Sequence, residues 1–107
     1  MGGEGRFLLE APKFLLDDIT SILKANKIES RSDAEQSDFI EIECSDAKGG
    51  VTLVVEQRGD CVDIILEPHC KSLFRPDKDS ILLSERLRSL LFEHGANDDF
   101  PMSSESN

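Results

Sequence analysis

Residues 38–67 read DFIEIECSDAKGGVTLVVEQRGDCVDIILE, and this stretch decides the fold. Within it, apolar and polar side chains alternate with a period of two in three separate runs, which is the pattern of half-buried strands. Short turns separate the runs: one contains Gly49-Gly50 and the other reads Arg58-Gly59-Asp60. Because tight glycine turns join antiparallel neighbours, the sequence predicts a three-stranded antiparallel meander. The predicted strands are residues 38–44, 51–57 and 61–67.

An amphipathic helix is predicted on each side of the meander. In the first helix, Pro12 suits the opening turn and Asn26 suits a left-handed stop. In the second, Asp79 or Ser80 suits the N-cap and Gly95 suits the stop. Both carry apolar side chains at spacings of three and four residues, which indicates one buried stripe on each. The stripes are Leu15, Ile19, Ile22 and Leu23 in the first helix and Leu83, Leu87, Leu90 and Leu91 in the second.

The predicted fold class is α+β, with the elements in the order α-β-β-β-α. Both helices must bury a stripe and the meander offers one apolar face, so we expect a two-layer sandwich with both helices on that face. Polar residues 29–37 are predicted as a loop. Residues 1–5 are predicted as a flexible N-terminus, residues 6–95 as a single α+β domain and residues 96–107 as a disordered acidic tail.

This order resembles that of the double-stranded RNA-binding domain, in the sequence of elements alone. Such domains recognise phosphates, and they do so with a basic cluster at the start of the final helix. Here the corresponding residues are Asp77-Lys78-Asp79-Ser80. Because a shared fold does not imply a shared function, we expect RNA binding to be absent.

The chain is strongly acidic. It has 12 Lys and Arg against 22 Asp and Glu, a formal net charge of −10. A field of this sign repels nucleic-acid phosphates and anionic lipids and attracts basic proteins. The sequence therefore predicts a basic protein partner, with no direct nucleic-acid contact and no membrane contact. The alternative is that the charge serves solubility alone.

Acidic residues mark one predicted face of the sheet. If the apolar strand positions point at the helices, the acidic positions share the opposite face, where the sequence places no Lys or Arg among them to relieve repulsion. Val54 and Ile65 share that face, and with Cys61 they form a predicted apolar patch suited to an interface. A polar face is also ordinary for an open antiparallel sheet. The predicted partner-binding residues are Glu41, Glu43, Val54, Glu56, Asp63, Ile65 and Glu67.

The chemistry-bearing residues form no recognisable motif. Cys61, His69 and Cys70 lack the paired spacing of zinc ligands, and an adjacent His69 and Cys70 do not form a nucleophile and base. We expect no metal, no cofactor and no enzymatic activity. An odd cysteine count, no secretory signal and no apolar run of ~20 residues predict a cytoplasmic protein with reduced thiols.

The sequence thus predicts a non-catalytic, acidic protein-binding module that docks on a basic partner surface. An inhibitor or immunity-type protein, a nucleic-acid mimic and a small chaperone all fit this description. The alternative is a self-associating structural homodimer, which light scattering would reveal. A third class is a small thiol enzyme that uses Cys61 or Cys70, whose thiolate would react rapidly with iodoacetamide.

Overall fold

An antiparallel sheet of six strands and two helices make up the part of the chain that the computed structural model describes, residues 5–35, 39–70 and 77–98. The α+β class is therefore confirmed. The strands are β1 (Phe7–Pro12), β2 (Glu29–Glu35), β3 (Phe39–Ser45), β4 (Gly50–Arg58), β5 (Cys61–Pro68) and β6 (Asn97–Asp98). The helices are α1 (Leu15–Ala25) and α2 (Lys78–Glu93).

The strands are arranged in the order β2-β3-β4-β5-β1-β6, and each neighbouring pair is antiparallel. The three predicted strands are confirmed as β3, β4 and β5, and each end lies within one residue of its predicted position. Both predicted hairpin turns are present. In the second turn Gly59 has a φ of 64°, a conformation that glycine adopts without steric cost.

The predicted order α-β-β-β-α is confirmed in part. The elements α1, β3, β4, β5 and α2 follow one another in the chain as predicted, but the described sheet has six strands and not three. Residues 7–12 form β1, which pairs with β5, so Pro12 ends a strand and α1 starts only at Leu15. As the last residue of a strand near the edge of the sheet, Pro12 satisfies the preference of proline for strand ends. The resemblance in element order to the double-stranded RNA-binding domain no longer holds.

The prediction of a loop at residues 29–37 is wrong for Glu29–Glu35, which forms β2 along β3, and residues 36 and 37 lie outside the described residues. Its inward-pointing residues Ser30 and Ser32 are exposed rather than buried. An edge strand with no covered face needs no apolar alternation, so the period-two signal is missing here. A register shift between Ser32 and Ala34 ends the regular part of the pairing.

The core lies on one face of the sheet, called here the inner face. Strands β1, β3, β4 and β5 point alternate apolar side chains to this face, and the stripes of both helices pack against them. Helix α1 contacts β1 and β2, and α2 contacts β1, β4 and β5. The predicted helix stripes are buried, except for Leu90, which is partly buried. The buried strand residues are Leu9, Ala11, Ile42, Cys44, Val51, Leu53, Val55, Val62, Ile64 and Leu66.

Helix α1 ends in a reversal whose left-handed residue is Lys27, with a φ of 62°, and not the predicted Asn26. The amide of Ile28 donates to the carbonyl of Leu23 (2.9 Å) and the amide of Lys27 to that of Lys24 (3.1 Å), which is a Schellman motif. Asn26 instead donates its side-chain amide to the carbonyl of Ile22 (2.8 Å).

Helix α2 begins at Lys78, and its N-cap is Asp77. The predicted caps, Asp79 and Ser80, lie two and three residues further along the chain. Ser80, predicted as a cap, is instead buried in the first turn, where its hydroxyl accepts the amide of Gly50 (2.9 Å) and donates to the Asp77 carboxylate (3.3 Å). The predicted stop at Gly95 is confirmed: its φ is 111°, and the amide of Ala96 donates to the carbonyl of Leu91 (3.0 Å).

The described chain continues past the predicted domain boundary at residue 95. Ala96 is buried, and β6 pairs with Leu9 and Glu10 of β1. Arg88 of α2 holds Asp98 by two side-chain hydrogen bonds, and its guanidinium lies 4.5 Å from the ring centroid of Phe92. Residues 1–4 and 99–107, which hold most of the predicted flexible ends, lie outside the described residues.

Candidate interaction face

The sheet face opposite the helices, called here the outer face, carries all seven of the predicted partner-binding residues. Because the strands are antiparallel and in register, side chains directly opposite one another form rows that cross the strands. Three rows concern the candidate site: one apolar row in the middle and one charged row on each side.

The middle row is apolar. Val54 of β4 lies opposite Ile65 of β5, and Ile65 lies opposite Leu8 of β1. Leu8 is 40% exposed, and Val54 and Ile65 are partly exposed. We call Leu8, Val54 and Ile65 the apolar row; with strands about 4.8 Å apart it runs for about 10 Å. Glu41 of β3, opposite Val54, ends the row.

The first flanking row holds Glu43, Thr52 and Glu67 on β3, β4 and β5. Glu43 accepts hydrogen bonds from the Thr52 hydroxyl (3.0 and 3.1 Å), and its Oε1 lies 2.8 Å from Nε2 of His69. Glu67 forms an ion pair with Arg6, just before β1 (3.0 Å). Each of these two carboxylates therefore has a partner.

The second flanking row holds Glu56, Asp63 and Glu10 on β4, β5 and β1. Arg58 donates to both Asp63 oxygens (2.9 and 3.0 Å) and to Glu10 (2.8 Å). These hydrogen bonds, that to Asp63 first and then that to Glu10, raise the pKa of Arg58 above its ordinary value. Arg58 of β4 thus links its strand to both β5 and β1 on the outer face.

These contacts correct the expectation that no basic residue relieves repulsion on the acidic face. Arg58 belongs to the outer face of β4, and Arg6 reaches Glu67 from the end of β1. In the described chain, no ion pair involves Glu41 or Glu56, which lie at the middle row and at the second flanking row. Neither carboxylate therefore has its negative charge offset by an ion pair in the described chain.

Two residues change the composition of the predicted apolar patch. Cys61 lies on the outer face opposite Arg58 and Pro12, and the row of Asp63 separates it from Ile65. Leu8 takes its place, and sequence reasoning missed it because β1 was not recognised. The available signal was the run Phe7-Leu8-Leu9, in which consecutive apolar residues mark a strand with apolar side chains on both faces.

The cluster of His69, Glu43 and Thr52 has the geometry of a structural hydrogen-bond cluster. Nε2 of His69 makes both contacts, at 2.8 Å to Glu43 and 3.1 Å to Thr52. A nucleophile relay instead uses one ring nitrogen for the nucleophile and the other for the carboxylate. The ring packs over Gly50, where a Cβ atom would lie 2.5 Å from Nδ1, so any larger residue at that position would displace the His69 ring.

The three cysteines occupy three different environments. Cys44 is buried on the inner face, and burial, with the Glu43 carboxylate as the lesser cause, raises the pKa of its thiol to about 12. Cys61 is partly buried on the outer face and Cys70 is exposed. In residues 5–35, 39–70 and 77–98, no three His, Cys, Asp or Glu side chains come together in a way that could hold a metal ion.

Comparison with protein-family models, with curated proteins and with solved structures finds no match to this chain. Neither described helix has the length and apolar character needed to cross a membrane.

Proposed function

We propose that the chain is a non-catalytic protein-binding module that docks on a basic partner through its outer face. The observation that carries this proposal is the apolar row, which crosses three adjacent strands in the middle of a charged sheet face that neither described helix covers. An apolar centre with a polar rim is the usual anatomy of a protein interface. Inhibitors, nucleic-acid mimics and small chaperones are forms that such a module takes.

The three rows form the centre of the proposed interface. They cover about 13 Å along the strands and about 14 Å across β3, β4, β5 and β1, an area on the order of 200 Å². A standard interface buries roughly 800 Å² on each partner. A partner on this face would therefore also contact residues around the three rows.

Charge selects the class of partner. Glu41 and Glu56 flank the apolar row without ion pairs in the described chain, within a protein of net charge −10. Two copies that met through this face would bring acidic rows together, and like charges in an interface are unfavourable. A partner with Lys and Arg around an apolar patch meets the same face with complementary charge, and it is steered there by the field.

A direct test separates the apolar row from the acidic rim. We expect Ile65→Ser and Glu41→Lys/Glu56→Lys each to abolish capture of a basic protein from the native source. Glu43 and Asp63 are left unchanged because Glu43 contacts His69 and Asp63 forms an ion pair with Arg58. The matched control is Leu82→Ser, which removes an exposed leucine (59% exposed) from α2, outside the sheet.

The captured protein is then purified and its affinity measured by calorimetry at low and high salt. Binding that weakens with salt and is lost in both outer-face variants, but kept in Leu82→Ser, supports the proposal. Equal binding by all variants contradicts it. A wild-type dimer in light scattering that becomes monomeric in Ile65→Ser would instead establish the homodimer.

A further inference from the structure

We propose that the groove between α1 and the edge strand β2 binds an extended acidic peptide of a second partner, which adds a strand to the sheet. This site does not use the apolar row and is independent of the function proposed above. Main-chain hydrogen bonds would supply affinity and the groove would supply selectivity, as in other cases of strand addition.

Strand β2 offers a free edge. It pairs with β3 on one side, and no described strand pairs with its other side. The register from Glu29 to Ser32 is continuous, and the shift after Ser32 ends this straight run. In an edge strand, alternate backbone amides and carbonyls point away from the sheet, where a peptide backbone can bind them.

A groove runs beside this edge. Thr20 and Lys24, one turn apart on α1, form one wall, and Glu29 and Ser30 of β2 form the other. Its volume is about 600 Å³. Ser30 points to the inner face, opposite Cys44, yet it is exposed because α1 does not cover it. A strand added beside β2 would direct every second side chain into this groove.

The groove is basic in an acidic protein. Lys24 and Lys27 line it, and Glu29 is the acidic side chain of the lining. Two cations against one acid favour an acidic occupant. A second copy paired along β2 would bring a second set of Lys24 and Lys27 next to the first, so a peptide is the better occupant.

The test uses nuclear magnetic resonance on the full-length, ¹⁵N-labelled protein. The probe is a short acetylated and amidated peptide of alternating valine and glutamate. We expect it to shift the amides of Glu29, Ser30, Arg31 and Ser32 together with those of Lys24 and Lys27. A peptide of alternating valine and lysine should leave these amides unchanged.

Two matched comparisons separate strand addition from simple charge attraction. Lys24→Glu/Lys27→Glu should weaken binding of the acidic peptide by about tenfold, since two weak attractions become repulsions. Lys13→Glu/Lys48→Glu, with the same charge change at exposed lysines away from the groove, should not. The acidic peptide methylated on alternate backbone nitrogens should fail to bind, because it has lost hydrogen-bond donors.

Three outcomes would overturn the proposal. Equal binding of the methylated peptide would show charge attraction without strand addition. Shifts centred on the outer face would place the peptide elsewhere. Concentration-dependent broadening of the Glu29–Ser32 amides without any peptide, together with a dimeric mass, would assign the edge to a second copy of the chain.

Discussion

Lys27 is the one non-glycine residue in the described ranges whose φ is positive, at 62°. A side chain in the left-handed region costs about 1 kcal/mol, and Lys27 adopts it because the Schellman motif requires it at this position. Ile28, the next residue, is buried as a result. The Schellman motif therefore directs the chain from the end of α1 into β2.

We expect Lys27→Gly to raise the free energy of unfolding by about 0.5–1 kcal/mol, since glycine adopts this φ without a steric cost. Urea denaturation followed by circular dichroism measures the change. The control Lys24→Gly places glycine inside α1 and should lower stability by about 1 kcal/mol. Loss of stability in both variants would show that the Lys27 side chain contributes more than its backbone costs.

The candidate site could be predicted only in part at the level of single residues. Alternation placed Val54 and Ile65 on one face together with the five acids, and the register of the structure agrees with that placement. Leu8 was missed because its neighbours Phe7 and Leu9 are also apolar. The ion pairs of Arg6 and Arg58 were missed because they join strands distant in sequence, and alternation within one strand carries no information on pairing.

Strand β5 shows how one element divides its residues between core and surface. Ile64 is fully buried on the inner face, whereas its neighbour Ile65 belongs to the partly exposed apolar row. Removing a buried isoleucine loses apolar burial and leaves a cavity, but a half-exposed site loses less burial and refills with water. Core and interface are thus separated by one residue.

We expect Ile64→Ala to cost about 2–5 kcal/mol and Ile65→Ala about 1 kcal/mol or less. Urea denaturation of both variants at neutral pH compares them directly. If Ile65→Ala were as costly as Ile64→Ala, the apolar row would be part of the core, and its proposed role in binding would lose its basis.

The elements differ in how clearly their sequences reveal them. Strands β3, β4 and β5 have one buried and one exposed face, so alternation identifies them. Strand β1 is short and apolar on both faces, and Pro12 at its end also suits the start of a helix. Strand β2 is mostly polar, and its described side chains, Glu29 to Ser32, are exposed. Both misread strands are placed by tertiary pairing rather than by local pattern.

At the scale of the whole molecule, the two proposed sites differ in their charge. The outer face carries acidic residues around an apolar row, and the groove beside β2 carries Lys24 and Lys27. If both proposals hold, one small chain contacts a basic partner and an acidic peptide at the same time, on different sides of its sheet.

The acidic surplus itself should oppose folding through self-repulsion. We expect Glu41→Lys/Glu56→Lys to keep or slightly raise the free energy of unfolding at low salt, because both carboxylates lack ion pairs in the described chain. The difference from wild type should shrink as salt screens the repulsion. Urea denaturation at two salt concentrations measures it. A clear loss of stability would show that these acids serve the fold rather than a partner.

The position of β1 between β5 and β6 has a consequence for the newly made chain. β1 is synthesised first among the described strands, but it can pair only after β5 has been made. Phe7 lies opposite Leu66 and Leu9 lies opposite Ile64. The β2–β5 meander can form from neighbours that leave the ribosome in succession, whereas β1 requires closure of a long loop. Until that closure, Phe7, Leu8 and Leu9 stay uncovered, and the nascent chain is at its most vulnerable to association with other chains.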